Sequence, residues 1–280
     1  MPTPTTIPAE RIAGAFARAR EQGRVALIPY VMAGYPDEAT SEELAVALAE
    51  AGADVLELGV PFSDPLADGA TIQHASHLAL QNGMSLGGAL ALAGRVTPRT
   101  AMPLVMMTYY NPIFRFGLEE FAQAARTAGL AGVIVPDLPP EESAALQSSL
   151  AAHGIALIFL ATPTSPDERL ARIAEAAEAS GGFVYCVSLS GVTGARDRLP
   201  DYLRDFVARV RAQSDLPLAV GFGVSRPDHV TEIGRIADGA VVASALLNAV
   251  DAAPPAERVP AAVAFLRALQ SGAHLETAAE

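Results

Sequence analysis

The chain has 280 residues, of which 51% are apolar and 18% charged, so it can bury a sizeable core and does not have the composition of a disordered protein. Its formal net charge of −12 argues against nucleic acid or an anionic membrane as a partner. One cysteine excludes an internal disulfide, and since there is no signal segment and no apolar run of roughly 20 residues, we expect a soluble cytoplasmic protein.

Short apolar, β-branched runs recur along the chain, and longer stretches with helical spacing separate them. A helix is predicted at residues 9–22, before the first run. The runs predict eight strands, at residues 26–32, 54–58, 104–107, 132–135, 156–160, 183–187, 218–220 and 239–242. The clearest intervening helices are predicted at residues 41–51, 118–128, 141–153, 166–180, 201–213 and 226–236.

Strands that are apolar on both faces and alternate with helices indicate a parallel sheet covered by helices. Eight such units favour a (β/α)8 TIM barrel, in which the extra N-terminal helix plugs the lower end; a doubly wound open sheet is the alternative. No linker, charge block or low-complexity tract divides the sequence. Residues 1–280 are therefore predicted to form a single domain, with flexible termini at about residues 1–8 and 271–280.

Two carboxylates stand out near the second predicted strand. Glu57 lies between apolar neighbours, and burying a carboxylate without a partner costs several kcal/mol or forces it to bind a proton. A closed barrel has no edge strand on which Glu57 could face solvent, so it is a candidate acid/base with a raised pKa; a solvent-facing Glu is the alternative. Asp68 follows in the next loop, where an Asp before Gly is equally typical of a turn.

Other chemistries have weaker support. A metal site made of Asp64, Asp68, His74 and His77 is conceivable, but the two histidines look like ordinary helix residues, and no metal is predicted. All 19 basic residues are Arg, so no lysine is available to form a Schiff base. Carbon–carbon cleavage in this chain would have to use acid/base chemistry.

Glycine-rich segments follow the sixth and seventh predicted strands, reading SLSGVTGAR (188–196) and GFGVSRP (221–227), and a segment that begins with small residues, ASALL (243–247), follows the eighth. Glycine lets backbone N–H groups approach an anion closely, and helix N-termini supply a complementary partial charge. The loops after strands seven and eight commonly bind phosphate in such barrels. An acidic protein could therefore hold a phosphate with neutral backbone donors.

Six segments together, LELGVPFSDPLADGATIQ, PYVMAGYPD, MTYYNPIF, VPDLPPEES, SGVTGAR and GFGVS, resemble the tryptophan synthase alpha subunit family in order from about residue 25 to 250. The resemblance implies a (β/α)8 barrel that cleaves indole-3-glycerol phosphate into indole and glyceraldehyde 3-phosphate. It makes Glu57 the acid/base and gives Asp68 the role of accepting the indole N–H. The group that deprotonates the substrate hydroxyl is left open, with Glu57 one candidate.

The resemblance also implies substrate contacts. The indole pocket would be lined by Tyr30, Tyr109, Ile134, Tyr185 and Phe222, although each could equally be a core residue. Thr193 would lie on a loop that closes over the site. The phosphate would be held by Gly194, Gly223 and Ser244, with Ala243 standing where the family usually has Gly; its methyl group could crowd the phosphate.

The family works as an αββα heterotetramer that passes indole to a β subunit. This implies a tryptophan synthase β subunit as partner, with loop 61–68 and the loop after strand six facing it. Pyridoxal phosphate is expected in that β subunit and no cofactor in this chain. Two alternatives remain: a stand-alone indole-releasing lyase, and a degenerate subunit that only activates its partner. Intact Glu57 and Asp68 argue against degeneracy.

Overall fold

A computed structural model describes residues 7–187 and 199–274. The strands in these ranges all belong to one sheet, and every pairing within it is parallel. In chain order they are β1 Ala26–Met32, β2 Leu56–Gly59, β3 Leu104–Met107, β4 Gly132–Ile134, β5 Ala156–Ile158, β6 Leu160–Ala161, β7 Val184–Val187, β8 Leu218–Gly221 and β9 Gly239–Val242.

Helices precede the first strand and fill most of the connections between strands. They are α1 Pro8–Glu21, α2 Glu38–Glu50, α3 Ala70–Gln81, α4 Leu86–Val96, α5 Tyr110–Phe116, α6 Leu118–Thr127, α7 Ala144–Ala152, α8 Asp167–Ser180, α9 Leu203–Arg211, α10 Pro227–Gly234, α11 Ser244–Ala252 and α12 Arg258–Gln270. Within residues 7–187 and 199–274, no helix combines the length and the apolar character needed to cross a bilayer.

The sheet closes through one divided strand. Its order runs β5-β4-β3-β2-β1-β9-β8-β7-β6, and the two outermost members are consecutive pieces of a single run that is interrupted at Phe159. The backbone N–H of Tyr185 donates to the carbonyl of Phe159 at 3.0 Å across this junction. The predicted (β/α)8 barrel is therefore confirmed, with the fifth predicted strand split in two, and the open-sheet alternative is wrong.

The N-terminal helix α1 closes the end of the barrel where the strands begin, as predicted. Ile12 and Phe16 are buried and pack into the cluster of side chains that fills the barrel interior. Gly132 and Gly239, each the first residue of a strand, make room for them. A Cβ on Gly132 would lie 3.1 Å from Ile12 Cδ1, and one on Gly239 would lie 2.8 Å from Phe16 Cε1.

An ion pair fixes the backbone at the same end. The buried carboxylate of Asp54 accepts from both terminal nitrogens of Arg24, at 2.6 and 2.8 Å, and from the backbone N–H of Leu27 at 2.8 Å. The segment after α12 packs alongside, since Val25 N donates to the carbonyl of Ala273 at 2.9 Å and Ala273 is buried. Residues 271–274 of the predicted flexible C-terminal segment thus make defined contacts, and Pro8 is already helical.

Helix boundaries depart from the predictions where a local cap overrides the spacing. α2 begins earlier than residue 41 because the Asp37 side chain accepts from the backbone N–H of Thr40 at 2.8 Å. The predicted helix 141–153 starts as a 3₁₀ turn, Pro140–Glu142, and becomes α-helical only from Ala144. The sequence pattern predicts no bounds for five of the helices, which are α3, α4, α5, α11 and α12.

Candidate active site

A cavity of about 560 Å³ opens at the carboxyl ends of the strands, which is where (β/α)8 barrels carry their chemistry. Its wall is largely apolar. Among the described residues that line it, the carboxyl and guanidinium side chains are Glu57, Asp68, Asp137 and Arg169. Three carboxyl groups thus share this part of the wall with one cation, Arg169, which pairs with Glu141 at 2.8 Å.

Glu57 projects into the barrel interior from β2, between Tyr30 on β1 and Val105 on β3 in the strand register. Its side chain is only 2% exposed, so the alternative of a solvent-facing Glu is wrong. Burial is the larger cause and the nearby charge of Asp68 the smaller one, and together they raise the pKa of Glu57 from 4.5 to about 8. A hydrogen bond from the Tyr185 hydroxyl opposes both effects by favouring the carboxylate.

Asp68 lies in loop 61–68, between β2 and α3. The loop is pinned to α3 at its start, where the Phe62 N–H donates to Ser76 Oγ at 3.0 Å, and at its end, where Gln73 Nε2 donates to the Asp68 carbonyl at 2.9 Å. Burial raises the pKa of Asp68 to about 6, while a hydrogen bond from Tyr109 lowers it.

The two carboxyl groups therefore differ in charge near neutral pH. A group with a pKa of about 8 is mostly protonated at pH 7, whereas one with a pKa of about 6 is mostly ionised. Glu57 can then donate a proton while Asp68 accepts a hydrogen bond. Such a split between neighbouring carboxyl groups is typical of acid/base sites.

Two tyrosines among the predicted residues, Tyr30 and Tyr185, line the cavity. Each is placed by a glycine on the next strand. A Cβ on Gly59 would collide with the Tyr30 hydroxyl, and one on Gly221 would lie 2.9 Å from the Tyr185 hydroxyl. Burial raises the pKa of both tyrosines far above the ordinary value, so they remain neutral hydrogen-bond donors.

Three other predicted pocket residues do not line this cavity within the described part of the chain. Phe222 follows β8 at an outward-facing position and packs on Phe206 of α9, with ring centroids 6.1 Å apart. Ile134 is fully buried in the cluster that fills the barrel interior. Tyr109 instead contacts loop 61–68 through its hydroxyl. The substrate contacts that the resemblance implies for these three residues remain predictions.

Several wall residues were missed by the sequence reasoning. They are apolar side chains at strand ends or in the following loops, and they include Met107, Val135, Pro136, Phe159 and Leu160. Only the alternation within strands could have indicated them. Met107, for example, stands two residues after the inward-facing Val105, so both belong to the same face of β3.

The opposite side of the cavity is formed by backbone at the ends of β8 and β9. Gly221, Gly223, Ala243, Ser244 and Ala245 line it, and Gly223 adopts a positive φ of 76°. α11 begins at Ser244, so the first N–H groups of this helix have no partner within the helix and can bind an anion. The other two predicted contacts, Thr193 and Gly194, lie outside the described residues.

The metal alternative finds no support within residues 7–187 and 199–274, where no group of three potential ligands comes together. His74 and His77 are both on α3. The His74 ring packs edge-on against Tyr35, with centroids 6.3 Å apart, and His77 Nε2 lies 3.0 Å from Gln81 Nε2. Both histidines of α3 therefore make ordinary side-chain contacts.

Comparison with known proteins identifies the relatives of this chain. A family model described as tryptophan synthase alpha chain matches residues 16–275. The tryptophan synthase alpha chain of Roseiflexus sp. (strain RS-1) is 53% identical over 261 residues, covering 93% of this chain and 99% of the relative. That of Chloroflexus aurantiacus is 50% identical over 262 residues, with coverages of 93% and 97%.

Solved structures agree with the sequence relatives. A chain of Mycobacterium tuberculosis tryptophan synthase superposes with a TM-score of 0.87 at 39% identity, covering 95% of this chain and 98% of that one. The tryptophan synthase alpha subunit of Legionella pneumophila gives a TM-score of 0.84 at 34% identity, with coverages of 94% and 97%. The similarity therefore extends over nearly the whole barrel.

Proposed function

The chain belongs to the tryptophan synthase alpha chain family, and on that premise we propose that it cleaves indole-3-glycerol phosphate to indole and glyceraldehyde 3-phosphate. The observation that carries the proposal is the pair of buried carboxyl groups, Glu57 and Asp68, which share one cavity but differ in pKa. The reaction needs a proton donor and a hydrogen-bond acceptor together, and this pair can supply both.

The first step is protonation of the indole ring. An indole carbanion is a poor leaving group, so C3 must first accept a proton, and protonated Glu57 is the donor. The ring nitrogen becomes positively charged, and ionised Asp68 stabilises that charge by accepting its N–H. A positioned acid or base of this kind contributes about 10²–10⁴-fold to a rate.

The second step breaks the carbon–carbon bond. Glu57, now a carboxylate, removes the proton from the hydroxyl group on the adjacent side-chain carbon. The O–H electrons form the aldehyde C=O, and the electrons of the C–C bond return to the indole ring. The net change moves one proton from the hydroxyl group to C3, and Glu57 ends in its starting protonated state. We assign both proton transfers to Glu57, because Asp68 is occupied by the ring N–H and Asp137 accepts from Tyr110 N at 2.9 Å.

Substrate binding is proposed to follow the two sides of the cavity. The indole ring lies against Tyr30, Tyr185 and the apolar strand ends. The phosphate is held by backbone N–H groups near Gly223 and at the start of α11, beside Ala243 and Ser244, with Thr193 and Gly194 as further proposed contacts. Neutral donors suit a protein with a net charge of −12 and no lysine.

A tryptophan synthase β subunit is the proposed partner, in an αββα assembly, and the pyridoxal phosphate of the reaction with serine is assigned to that subunit. Two large apolar side chains support a contact surface near the cavity mouth. Leu66, in loop 61–68, is 79% exposed, and Phe114, on the helix that follows β3, is 65% exposed. Exposed apolar groups of this size are typical of protein contacts.

The test is a paired steady-state assay on Glu57→Gln, measuring indole release by the chain alone and stimulation of a β subunit that converts indole and serine to tryptophan. Gln keeps the size of the side chain but cannot deliver a proton, so cleavage should fall at least about 10²-fold. Stimulation of the β subunit should persist. Glu43→Gln, on the exposed face of α2, is the matched control and should leave both activities unchanged.

The same assay separates the alternatives. High indole release that does not respond to the β subunit would indicate a stand-alone lyase. Stimulation of the β subunit without any indole release by the unsubstituted chain would indicate a degenerate activator. Near-normal cleavage by Glu57→Gln would remove Glu57 from the mechanism, and loss of both activities would mean that Glu57 maintains the fold or the interface.

A further inference from the structure

Tyr109, which immediately precedes α5, makes two contacts at the end of loop 61–68. Its hydroxyl accepts a hydrogen bond from the backbone N–H of Ala67 at 3.0 Å. The same hydroxyl donates to the carboxylate of the next residue, Asp68. One oxygen therefore links two successive residues of the loop to the scaffold, and Tyr109 itself is 4% exposed.

The ring of Tyr109 contacts the other end of the same loop. It stacks on Phe62, with ring centroids 5.0 Å apart and an interplanar angle of 29°. The backbone beside Tyr109 is held in turn, because the Tyr110 N–H donates to Asp137 Oδ1 at 2.9 Å. A single side chain from the segment after β3 thus contacts both ends of the loop that carries Asp68.

We propose that Tyr109 is a positioning residue, whose hydroxyl holds Asp68 in the orientation and ionisation state in which it can accept the indole N–H. The inference rests on the proposed function, which assigns that role to Asp68. The Tyr109 hydroxyl acts through Asp68, which lines the substrate cavity. This role is proposed beside the substrate contact that the sequence resemblance implied for Tyr109.

The surroundings of Asp68 explain why this hydrogen bond matters. Glu57 on β2, Tyr30 on β1 and Tyr185 on β7 all interact electrostatically with Asp68, and Asp137 acts on Tyr109. Burial raises the pKa of Asp68, and among the residues that the structure describes, the Tyr109 hydroxyl is the one group with a clear opposing effect. The pKa of Tyr109 is itself raised by burial, so this hydroxyl keeps its proton while Asp68 titrates.

The direct test is Tyr109→Phe, which keeps the ring and its stacking on Phe62 but removes the hydroxyl. The titration of Asp68 is followed by ¹³C NMR of carboxyl-labelled protein, with the resonance assigned by Asp68→Asn. Loss of the donor should move the midpoint of Asp68 from about pH 6 to higher pH. Tyr110→Phe is the matched control, because it deletes a hydroxyl one residue further on, and it should leave the midpoint unchanged.

Cleavage of indole-3-glycerol phosphate gives the second measurement. For Tyr109→Phe we expect kcat to fall about tenfold, the effect of one hydrogen bond, with little change in KM. The acidic limb of the kcat/KM profile should move to higher pH together with the NMR midpoint. A thermal unfolding midpoint measured on the same preparation shows whether the fold is retained.

The outcomes are distinguishable. An unchanged Asp68 titration in Tyr109→Phe overturns the inference, whatever the activity. A fall in activity that follows a loss of stability, with no shift on the pH axis, also overturns it, because it would give Tyr109 a merely structural role. If the unsubstituted chain did not cleave indole-3-glycerol phosphate, the proposed function would fail, whereas a shifted titration would still support Tyr109 as the residue that sets the state of Asp68.

Discussion

Tyr185 on β7 lies across Gly221 on β8, so closely that a Cβ on residue 221 would come within 2.9 Å of both Cε2 and the hydroxyl oxygen of the tyrosine. This hydroxyl is the group that hydrogen bonds to Glu57. Because Gly221 has no side chain, Tyr185 can occupy the position from which its hydroxyl reaches Glu57. Tyr30 and Gly59 repeat the arrangement on β1 and β2.

Gly221→Ala tests this relationship. The added methyl group should displace the Tyr185 hydroxyl from Glu57 and reduce cleavage about 10- to 100-fold, since small misplacements at a reacting centre are costly. Because the Tyr185 hydrogen bond lowers the pKa of Glu57, its loss should also move the midpoint of Glu57 upward from about 8. Both effects are measured in one pH–rate profile.

The control for that substitution is Gly87→Ala, on the exposed face of α4, where the nearest heavy atom to a new Cβ is Ser85 Oγ at 3.9 Å. Alanine in a helix should leave cleavage unchanged and raise the free energy of unfolding by about 0.5–1 kcal/mol. If Gly221→Ala behaved in the same way, Gly221 would have no role in positioning Tyr185.

The barrel and its central carboxylate could be predicted from the sequence because both leave local signals. Apolar runs that alternate with helical spacing imply buried parallel strands, and an ionisable group such as Glu57 inside such a run has few harmless explanations. The role of α1 was likewise predictable, since a helix before the first strand must bury its apolar face somewhere.

Side-chain direction at the strand ends was not predictable in the same way. Motif resemblance carries Tyr109 and Phe222 over by position, but whether each side chain faces the cavity depends on where its strand stops. β8 ends at Gly221, which places Phe222 on the outer face against α9. Met107 and Leu160 had no chemical signature in the sequence, and they became wall residues only when the barrel closed.

Stability should depend on pH through Glu57. The pKa of Glu57 is about 8 in the fold and near 4.5 when the chain is unfolded, so between these values only the folded state holds the proton. Unfolding then releases a proton, and the free energy of unfolding falls as pH rises, by at most about 1.4 kcal/mol per pH unit from this group.

Glu57→Gln removes that penalty. The variant should therefore be more stable than the unsubstituted protein at pH 8, and the difference should shrink toward pH 5. Denaturant midpoints at several pH values provide the measurement. Asp68→Asn should also be more stable than the unsubstituted protein, but the difference should develop over a lower pH range, because the pKa of Asp68 is raised from 3.8 to about 6. A constant difference at all pH values would contradict the raised pKa of Glu57.

The ion pair at the closed end of the barrel should contribute to stability without affecting catalysis. Asp54→Ala leaves the Arg24 guanidinium without its partner, and the two side chains are only 8% and 19% exposed. We expect a loss of about 3 kcal/mol in the free energy of unfolding. Cleavage by the protein that remains folded should be unchanged, because the pair lies at the opposite end of the strands from the cavity.

An exposed ion pair gives the comparison for Asp54→Ala. Arg95 is 43% exposed and bridges Glu38 and Glu42 on α2 at 2.6 and 2.7 Å. Arg95→Ala should cost about 1 kcal/mol or less, since exposed pairs are screened by solvent. Equal losses for the two variants in urea unfolding would mean that burial of Asp54 adds nothing to the ion pair.

Ala243→Gly tests the proposed phosphate site. Ala243 is the residue before α11, with φ −114° and ψ −86°, and its backbone lines the cavity beside the first N–H groups of the helix. Glycine is a better residue than alanine at a helix N-cap, and it removes a methyl group from the path of the phosphate. Inorganic phosphate, followed by calorimetry, should therefore bind with equal or higher affinity, and KM for indole-3-glycerol phosphate should stay equal or fall.

Ala253→Gly, after the last residue of the same helix, is the control and should leave phosphate affinity unchanged. Clearly weaker phosphate binding by Ala243→Gly would show that the methyl group supports the site instead of crowding it. Phosphate binding that depends on Arg169, a cation in the described part of the cavity wall, would move the anion site away from α11 altogether.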